Sequence, residues 1–340
     1  MVPAIFGLSG LILTAEERAF FKDADPAGYI LFGRNIESRA QLRALTDELR
    51  GLHGRDHLFI SIDQEGGRVA RLKPPVWPQY PAGEAFDQLY EIAPASAIAA
   101  MRANMEALGL DLAEAGITID HAPVCDVRQP QAHDVIGDRA LGAEPLRVAA
   151  LARAALDGLA RAGVAGTIKH LPGHGRTSVD THKALPTVSA SAAELELDLA
   201  PFRALNSAPI GMTGHLLFTA WDSENPATLS LTIISEVIRG QIGFDGLLLT
   251  DDLDMEALGG PVPGRAARAL AAGCDIALNC WGKMDDMVGI AKACPAISEV
   301  GAARLARALA GTAVGQPDMA RQAELVATRD ALLAQRADAA

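Results

Sequence analysis

The chain has 340 residues, 49% of them hydrophobic and only 4% aromatic, with a formal net charge of −12. That length fits one large α/β domain or two ordinary ones. The acidic balance argues against a general nucleic-acid binder, which carries a basic face, and gives no reason to expect attraction to anionic membranes; an anionic substrate would have to be drawn in by Arg and Lys placed locally in its site.

Residues 1–13 are apolar but lack the basic leader of a signal peptide, and Thr14-Ala-Glu-Glu follows at once as a helix capping box. They read as a first core strand, and no apolar run is long enough to span a membrane. Strands are predicted over 4–8, 29–32, 58–62, 118–124, 166–169, 210–214, 247–250 and 276–279. Helical patterns fall between them over 14–22, 39–52, 94–115, 145–162, 192–205, 231–241, 264–272 and 285–293. Eight consecutive βα units close most economically into a (β/α)8 TIM-type barrel, because right-handed crossovers then bury every strand on both faces. A doubly wound open sheet is the alternative. The expectation is one catalytic domain over 1–340, with helices from about 302–340, broken at 311–317, packed outside.

Polar residues favour the barrel. Arg34, Asp63, Asp126, Lys169, His170, His215, Asp251 and Trp281 each fall at or just past the C-terminal end of a predicted strand, and in a barrel those ends converge on one face. The four cysteines, Cys125, Cys274, Cys280 and Cys294, show no C-x-x-C pairing and sit in apolar contexts, so reduced thiols in a cytoplasmic protein are expected.

Three stretches carry candidate chemistry. Ser-Ile-Asp-Gln-Glu-Gly-Gly-Arg-Val-Ala-Arg (61–71) leaves a strand for a Gly-rich turn, so Asp63 is expected at the barrel mouth with Arg71 folding back on it. An ionised carboxylate there can accept two hydrogen bonds from vicinal hydroxyls; a purely structural Asp–Arg pair is the alternative. Lys-His-Leu-Pro-Gly-His-Gly-Arg-Thr-Ser-Val-Asp-Thr-His (169–182) has almost no apolar periodicity, the composition of a catalytic loop. In it Asp180 would orient His182 and favour its charged form, which makes His182 a candidate general acid/base, and the glycines are expected to let it move. Lys169 and His170 also admit a Schiff-base lysine, or a metal cluster of His170, His174, Asp180 and His182. That cluster lacks the short helical His spacing of zinc sites, and the neighbouring lysine would repel a metal. Leu-Leu-Leu-Thr-Asp-Asp-Leu-Asp-Met (247–255) ends a buried strand in carboxylates, a costly place for charge unless it is paired or functional. Alternation puts Asp251 on the face of Leu247 and Leu249 and Asp252 on the other, so Asp251 is a candidate nucleophile and Asp252 a capping or strand-bonding group, with the reverse still open.

Taken together, Asp-Gln-Glu-Gly-Gly-Arg (63–68), Ala-Pro-Val-Cys-Asp-Val (122–127), the 169–182 run and Gly-Phe-Asp-Gly-Leu-Leu-Leu-Thr-Asp-Asp-Leu-Asp-Met (243–255) resemble glycoside hydrolase family three. The likeness covers nearly the whole chain, from the strand before Gly-Arg-Asn (33–35) to Trp281, and the Lys-His-x-Pro-Gly-His-Gly…Asp-x-His pattern is its most specific part. The resemblance implies a retaining exo-β-N-acetylglucosaminidase acting on terminal β-linked GlcNAc of GlcNAc-1,6-anhydro-MurNAc muropeptides in peptidoglycan recycling. It implies Asp251 as the nucleophile that forms a glycosyl-aspartate, and His182, oriented by Asp180, as acid and then base. The family's sugar-binding positions fall on Asp63, Arg71, Arg139, Lys169 and His170, whose cations would supply the local attraction for an anionic muropeptide. Asp126 and His215 match other polar positions and are expected behind these. Cys125 stands where an aliphatic residue is usual, and Arg176 is expected to bear on recognition beyond the first sugar. No metal or cofactor, a small amino-sugar ligand as the partner, no nucleic-acid or membrane partner, a monomer and a cytoplasmic location complete the expectation.

Overall fold

Eight strands close into a barrel: Val2–Gly7 (β1), Pro26–Leu31 (β2), Phe59–Ile62 (β3), Ile119–Asp120 (β4), Ala165–Leu171 (β5), Ile210–Thr213 (β7), Leu247–Asp252 (β9) and Ile276–Asn279 (β10). Each runs parallel to its neighbours, and β1 pairs with β10 to complete the circle. Thr187–Val188 (β6) and Leu217–Phe218 (β8) form a small pair outside it. The computed structural model describes residues 1–130, 136–177, 185–313 and 317–336.

The helices between strands are Ala15–Ala24 (α1), Arg39–His53 (α2), Gly83–Ile92 (α3), Pro94–Glu114 (α4), Pro145–Arg161 (α5), Ala192–Ala204 (α6), Val262–Ala272 (α7) and Met284–Ala293 (α8), with a π-wound helix over Ile233–Gln241. The capping box at the start of α1 is formed: the Glu17 N–H donates to Thr14 Oγ1 at 3.0 Å, and the Thr14 N–H to Glu17 Oε2 at 2.8 Å. Two elements escaped the sequence reading, α3 and the β6–β8 pair; both sit in segments with Pro and Gly breaks or too short to show a period. The fourth strand is shorter than predicted, because Pro123 has no N–H for the ladder. Backbone bonding nonetheless brackets it, with the Thr118 N–H donating to Ile60 O at 2.9 Å and the Cys125 N–H to Lys169 O at 2.7 Å.

Alternation along the strands divides the apolar residues into two cores. Ile5, Phe59, Ile119, Ile210, Leu247, Leu249 and Ile276 fill the barrel, while Ala4, Phe6, Leu248 and Ala277 face the helices. Two further helices complete the chain, Glu299–Ala310 (α9) and Met319–Ala334 (α10). Leu305 and Ala308 of α9 join the inner core beside Ala27 and Phe59, so α9 closes the N-terminal end of the barrel. α10 packs on the outer side of α4, pinned where Gln322 Nε2 donates to Tyr80 Oη and Asp111 Oδ2, both at 3.1 Å. The opposite, C-terminal end is left open for polar side chains. Among the described residues no helix is long and apolar enough to cross a membrane. All four cysteines are free thiols.

Candidate active site

Asp63 leaves the end of β3 and meets two cations. Arg71 Nη2 donates to its Oδ2 at 3.0 Å, and Lys169 Nζ stands 3.5 Å from its Oδ1. Burial opposes ionisation, but Lys169 and then Arg71 outweigh it and hold the carboxyl below the usual aspartate range. Two residues on, Glu65 takes Lys169 Nζ at 2.6 Å and a forked pair of bonds from Arg139, Nε to Oε2 and Nη2 to Oε1, both 2.8 Å. Arg139 and then Lys169 overcome the burial of Glu65 and lower its pKa to about 2. Gln64 locks the turn: its Oε1 accepts from the Arg71 and Leu72 N–H groups at 2.7 and 3.0 Å, and its own N–H donates to Asp120 Oδ1 at 3.0 Å. Lys169 itself is buried, which disfavours its charge, yet Glu65 and Asp63 raise its pKa. A lysine held as ammonium is a poor Schiff-base nucleophile, which weighs against the aldolase reading.

A second cluster stands on β5 and the segment after β4. Asp126 is wholly buried and accepts three bonds: from the His170 N–H at 3.1 Å, the His174 N–H at 2.7 Å and His170 Nδ1 at 2.7 Å. Burial opposes its charge, and His170 more than compensates, taking the Asp126 pKa to about 2. With Nδ1 committed to Asp126, the His170 ring keeps Nε2 for the cavity it lines. His174 also lines that cavity; its Nδ1 is 3.1 Å from Thr177 Oγ1, and burial followed by the charge of His170 lowers its pKa to about 4.

The third contribution comes from β9. Asp251 and Asp252 both line the cavity, and Asp252 also makes the neighbouring-strand bond expected of it, to the Cys280 N–H just past β10. The register slips at this end, Ile276 pairing with Leu249 but Leu278 with Asp252, which puts one extra residue into β9. Electrostatics separates the two. Burial resists the charge of Asp251, but His170 and then His215 lower its pKa, so it is a carboxylate. Burial, and then the Asp254 carboxylate, push Asp252 upward, while its Oδ1 accepts the Asp254 and Cys280 N–H groups at 3.1 and 3.2 Å.

The cavity so formed has a volume near 190 Å³ and combines these charges with Ile30, Phe32, Met212, Met255 and Leu278. That is below the ~300–1,000 Å³ of pockets for drug-sized ligands and suits one sugar ring. A polar rim against an apolar wall can bond ring hydroxyls on one side and pack the ring's C–H face on the other.

The N-terminal domain of the glycosyl hydrolase family 3 matches residues 8–308 of this chain. The chain belongs to glycosyl hydrolase family 3. It is 40% identical over 283 residues to a β-hexosaminidase of Alkalilimnicola ehrlichii, spanning 82% of this chain and 80% of that protein. A β-hexosaminidase of Bordetella avium is 37% identical over the same length and shares. The crystal structure of NagZ from Neisseria gonorrhoeae in complex with N-trifluoroacetyl-D-glucosamine superposes with a TM-score of 0.87 at 31% identity, covering 97% of this chain and 96% of that one.

In this family 3 barrel the predicted residues Asp63, Arg71, Arg139, Lys169, His170 and Asp251 come together around one cavity. Asp180 and His182 lie outside the described residues. Glu65 and Asp126 are more central than the sequence reading had them. Arg34 is not at the cavity: its Nε donates to Leu8 O at 2.7 Å and its Nη2 to Cys280 O at 2.5 Å, tying β1 to β10. His215 is a satisfied core residue, with Nδ1 2.8 Å from Thr228 Oγ1 and Nε2 2.9 Å from Asp252 O. Arg176 points to α6, its Nε donating to Asp198 Oδ2 at 2.6 Å and its Nη2 to Glu194 O at 2.9 Å. Both glycines of this run sit at close approaches. A Cβ on Gly175 would lie 1.9 Å from Val127 O, and one on Gly173, whose φ is +142°, would press Asp198 Cβ at 3.0 Å.

Asp126 gives a stability prediction. Removing it leaves His170 and two backbone N–H groups without their buried partner, so Asp126→Ala is expected to lower the unfolding free energy by about 3–5 kcal/mol. Its folded pKa lies below the unfolded ~3.9, so its contribution is full above that value and is lost as pH falls toward about 2. The gap between wild type and variant in urea melts should therefore narrow across that window; a gap that stays constant from neutral pH to pH 2 would remove this account.

Proposed function

We propose that this family 3 glycoside hydrolase is an exo-acting, retaining β-N-acetylglucosaminidase that releases terminal β-linked GlcNAc from muropeptides in cytoplasmic peptidoglycan recycling. Its standing as a β-N-acetylhexosaminidase rests on its relatives; the substrate, the covalent mechanism, the monomeric state and the location are the parts proposed. The observation that carries the reading is an ionised Asp251 in a one-ring cavity that also holds Asp63, Glu65, Arg71, Arg139, Lys169 and His170.

In the first step the Asp251 carboxylate attacks the anomeric carbon, the glycosidic C–O bond breaks, and the leaving oxygen takes a proton from His182. In the second, water attacks the same carbon, gives its proton to His182, and the ester electrons return to Asp251. Asp63 accepts from ring hydroxyls, while Lys169, Arg71, Arg139 and His170 donate to hydroxyls and the N-acetyl group. Lys169, Arg71 and Arg139 are each paired with Asp63 or Glu65, so these groups orient the sugar through hydrogen bonds and leave the cavity close to charge balance in a protein of net charge −12.

Incubation with an aryl β-N-acetylglucosaminide should release the aglycone, and GlcNAc-1,6-anhydro-MurNAc should yield free GlcNAc. Failure on both would end the reading; cleavage of the first alone would move the substrate away from muropeptides. Glu65→Gln tests the cation cradle. It removes the shared counter-charge of Lys169 and Arg139, whose charge-assisted bonds are worth about 1.5–3 kcal/mol, so kcat/KM should fall about 10–100-fold. The loss should appear mostly in KM, and an unchanged KM would show that Glu65 holds only the fold.

A further inference from the structure

His174 lines the cavity, is 3% exposed, and has no part in the displacement set out above. Its place is fixed from several sides. The backbone N–H donates to Asp126 Oδ1 at 2.7 Å, and ring Nδ1 stands 3.1 Å from Thr177 Oγ1. The other side of the ring lies against the end of β7, where a Cβ built on Gly214 would be 3.6 Å from His174 Cδ2. The remaining nitrogen, Nε2, has no hydrogen-bond partner among the described residues.

The surroundings set the state of that nitrogen. Thr177 Oγ1 also lies 3.3 Å from His174 O, a carbonyl that can only accept, so the hydroxyl proton goes there and Nδ1–H donates to the Oγ1 lone pair. Burial, and then the charge of His170, lower the His174 pKa to about 4, so at neutral pH the ring is uncharged and Nε2 is an acceptor. A buried acceptor without a donor is costly, and at the wall of a ligand cavity the donor is expected on the ligand.

An N-acetylated amino sugar carries one donor that the cavity's cations cannot serve, the N–H of its amide. Asp63 and Glu65 follow β3, which lies four places from β9 in the ring of eight strands, so both stand across the barrel from Asp251 and are held there by Arg71, Lys169 and Arg139. With the anomeric carbon at Asp251, its two ring neighbours, C2 and the ring oxygen, face the strands beside β9, which are β7 and β10. The β10 side presents Leu278, Cys280 and Asp252, whose Oδ1 already accepts two N–H groups. The β7 side presents His174 and the apolar side chain of Met212, an acceptor and a surface suited to an amide N–H and its methyl group.

We propose that His174 is a specificity-determining residue whose Nε2 accepts the N–H of the substrate's 2-acetamido group, with the acetyl methyl against Met212. This rests on the reading of Asp251 as the nucleophile of an amino-sugar glycosidase, which places the anomeric carbon and therefore C2. The substrate class selected is a β-glycoside with a secondary amide on C2. An ester in its place keeps the carbonyl and the methyl but sets an oxygen lone pair against that of Nε2.

The experiment measures kcat/KM of wild type, His174→Leu and His174→Gln on a nitrophenyl β-N-acetylglucosaminide and on its counterpart with an O-acetyl ester at C2. Wild type should favour the amide by about tenfold or more, the discrimination expected of a site built to bond an N–H. His174→Leu should lose about tenfold on the amide and stay within about twofold on the ester, because it removes an acceptor that only the amide uses. His174→Gln keeps an acceptor oxygen and should retain most of the preference. Equal wild-type rates on amide and ester would overturn the assignment, and this comparison needs no variant to fold. Equal losses of His174→Leu on both substrates, in a protein that melts as wild type does, would also overturn it. A wild-type protein inactive on the amide would overturn the parent reading and this one with it, whereas an active one indifferent to the amide overturns this one alone.

Discussion

Asp251→Ala is expected to lower kcat by about 10⁴-fold or more, because the proposed route has no first step without a carboxylate at the anomeric carbon. Thermal melting should change little, since the group is a charge at the cavity rather than a packing element. A slow fluorosugar should leave an adduct within the 247–252 strand, and fragment spectra should put it on Asp251 rather than Asp252. The reason is protonation: His170 and His215 keep Asp251 a carboxylate despite its burial, whereas burial and Asp254 raise Asp252. A nucleophile must be ionised, so the acid limb of kcat/KM should fall below the ordinary aspartate range. An adduct on Asp252, or an acid limb near neutrality that Asp252→Asn abolishes, would exchange their roles.

The barrel was legible because its signal is periodic: each of eight apolar runs was found, and the alternation within them sorts cleanly into two cores. Asp63 and Arg71 were legible because they are eight residues apart on one turn. Glu65 was not, because its partner Arg139 is 74 residues away and a sequence gives no sign of which carboxylate will be buried. Its position two residues after Asp63, on the same side of an extended segment, was the available clue. Asp126 was placed behind the site, yet it organises two histidines lying 44 and 48 residues downstream. The register slip beside Asp251 and Asp252 was not legible, because it is set by the β9–β10 pairing, which a single strand does not encode. That Gly173 and Gly175 also serve close approach was not legible, because it depends on what lies opposite them.

His182→Ala should reduce turnover by roughly 10²–10⁴-fold, the usual contribution of a positioned acid/base, and the loss should depend on the leaving group. A disaccharide needs its departing oxygen protonated, so both steps suffer. An activated aryl or fluoride group leaves without a proton, so only the second step, activation of water, remains impaired and the glycosyl-enzyme should accumulate as a burst. Azide, which attacks without losing a proton, should then restore turnover and give a β-glycosyl azide, the configuration a double displacement requires. The alkaline limb of kcat/KM, which an imidazole near its ordinary ~6.5 or somewhat higher would produce, should disappear in the variant. The described chain reaches this segment at Thr177, whose hydroxyl lies against the cavity-lining His174, while Arg176 is fixed to α6. Asp180→Ala should give a smaller loss of the same kind, because in the proposed mechanism it acts on the proton only by orienting His182. A loss equal for all leaving groups, with no azide product, would mean that His182 binds sugar and that another group moves the proton.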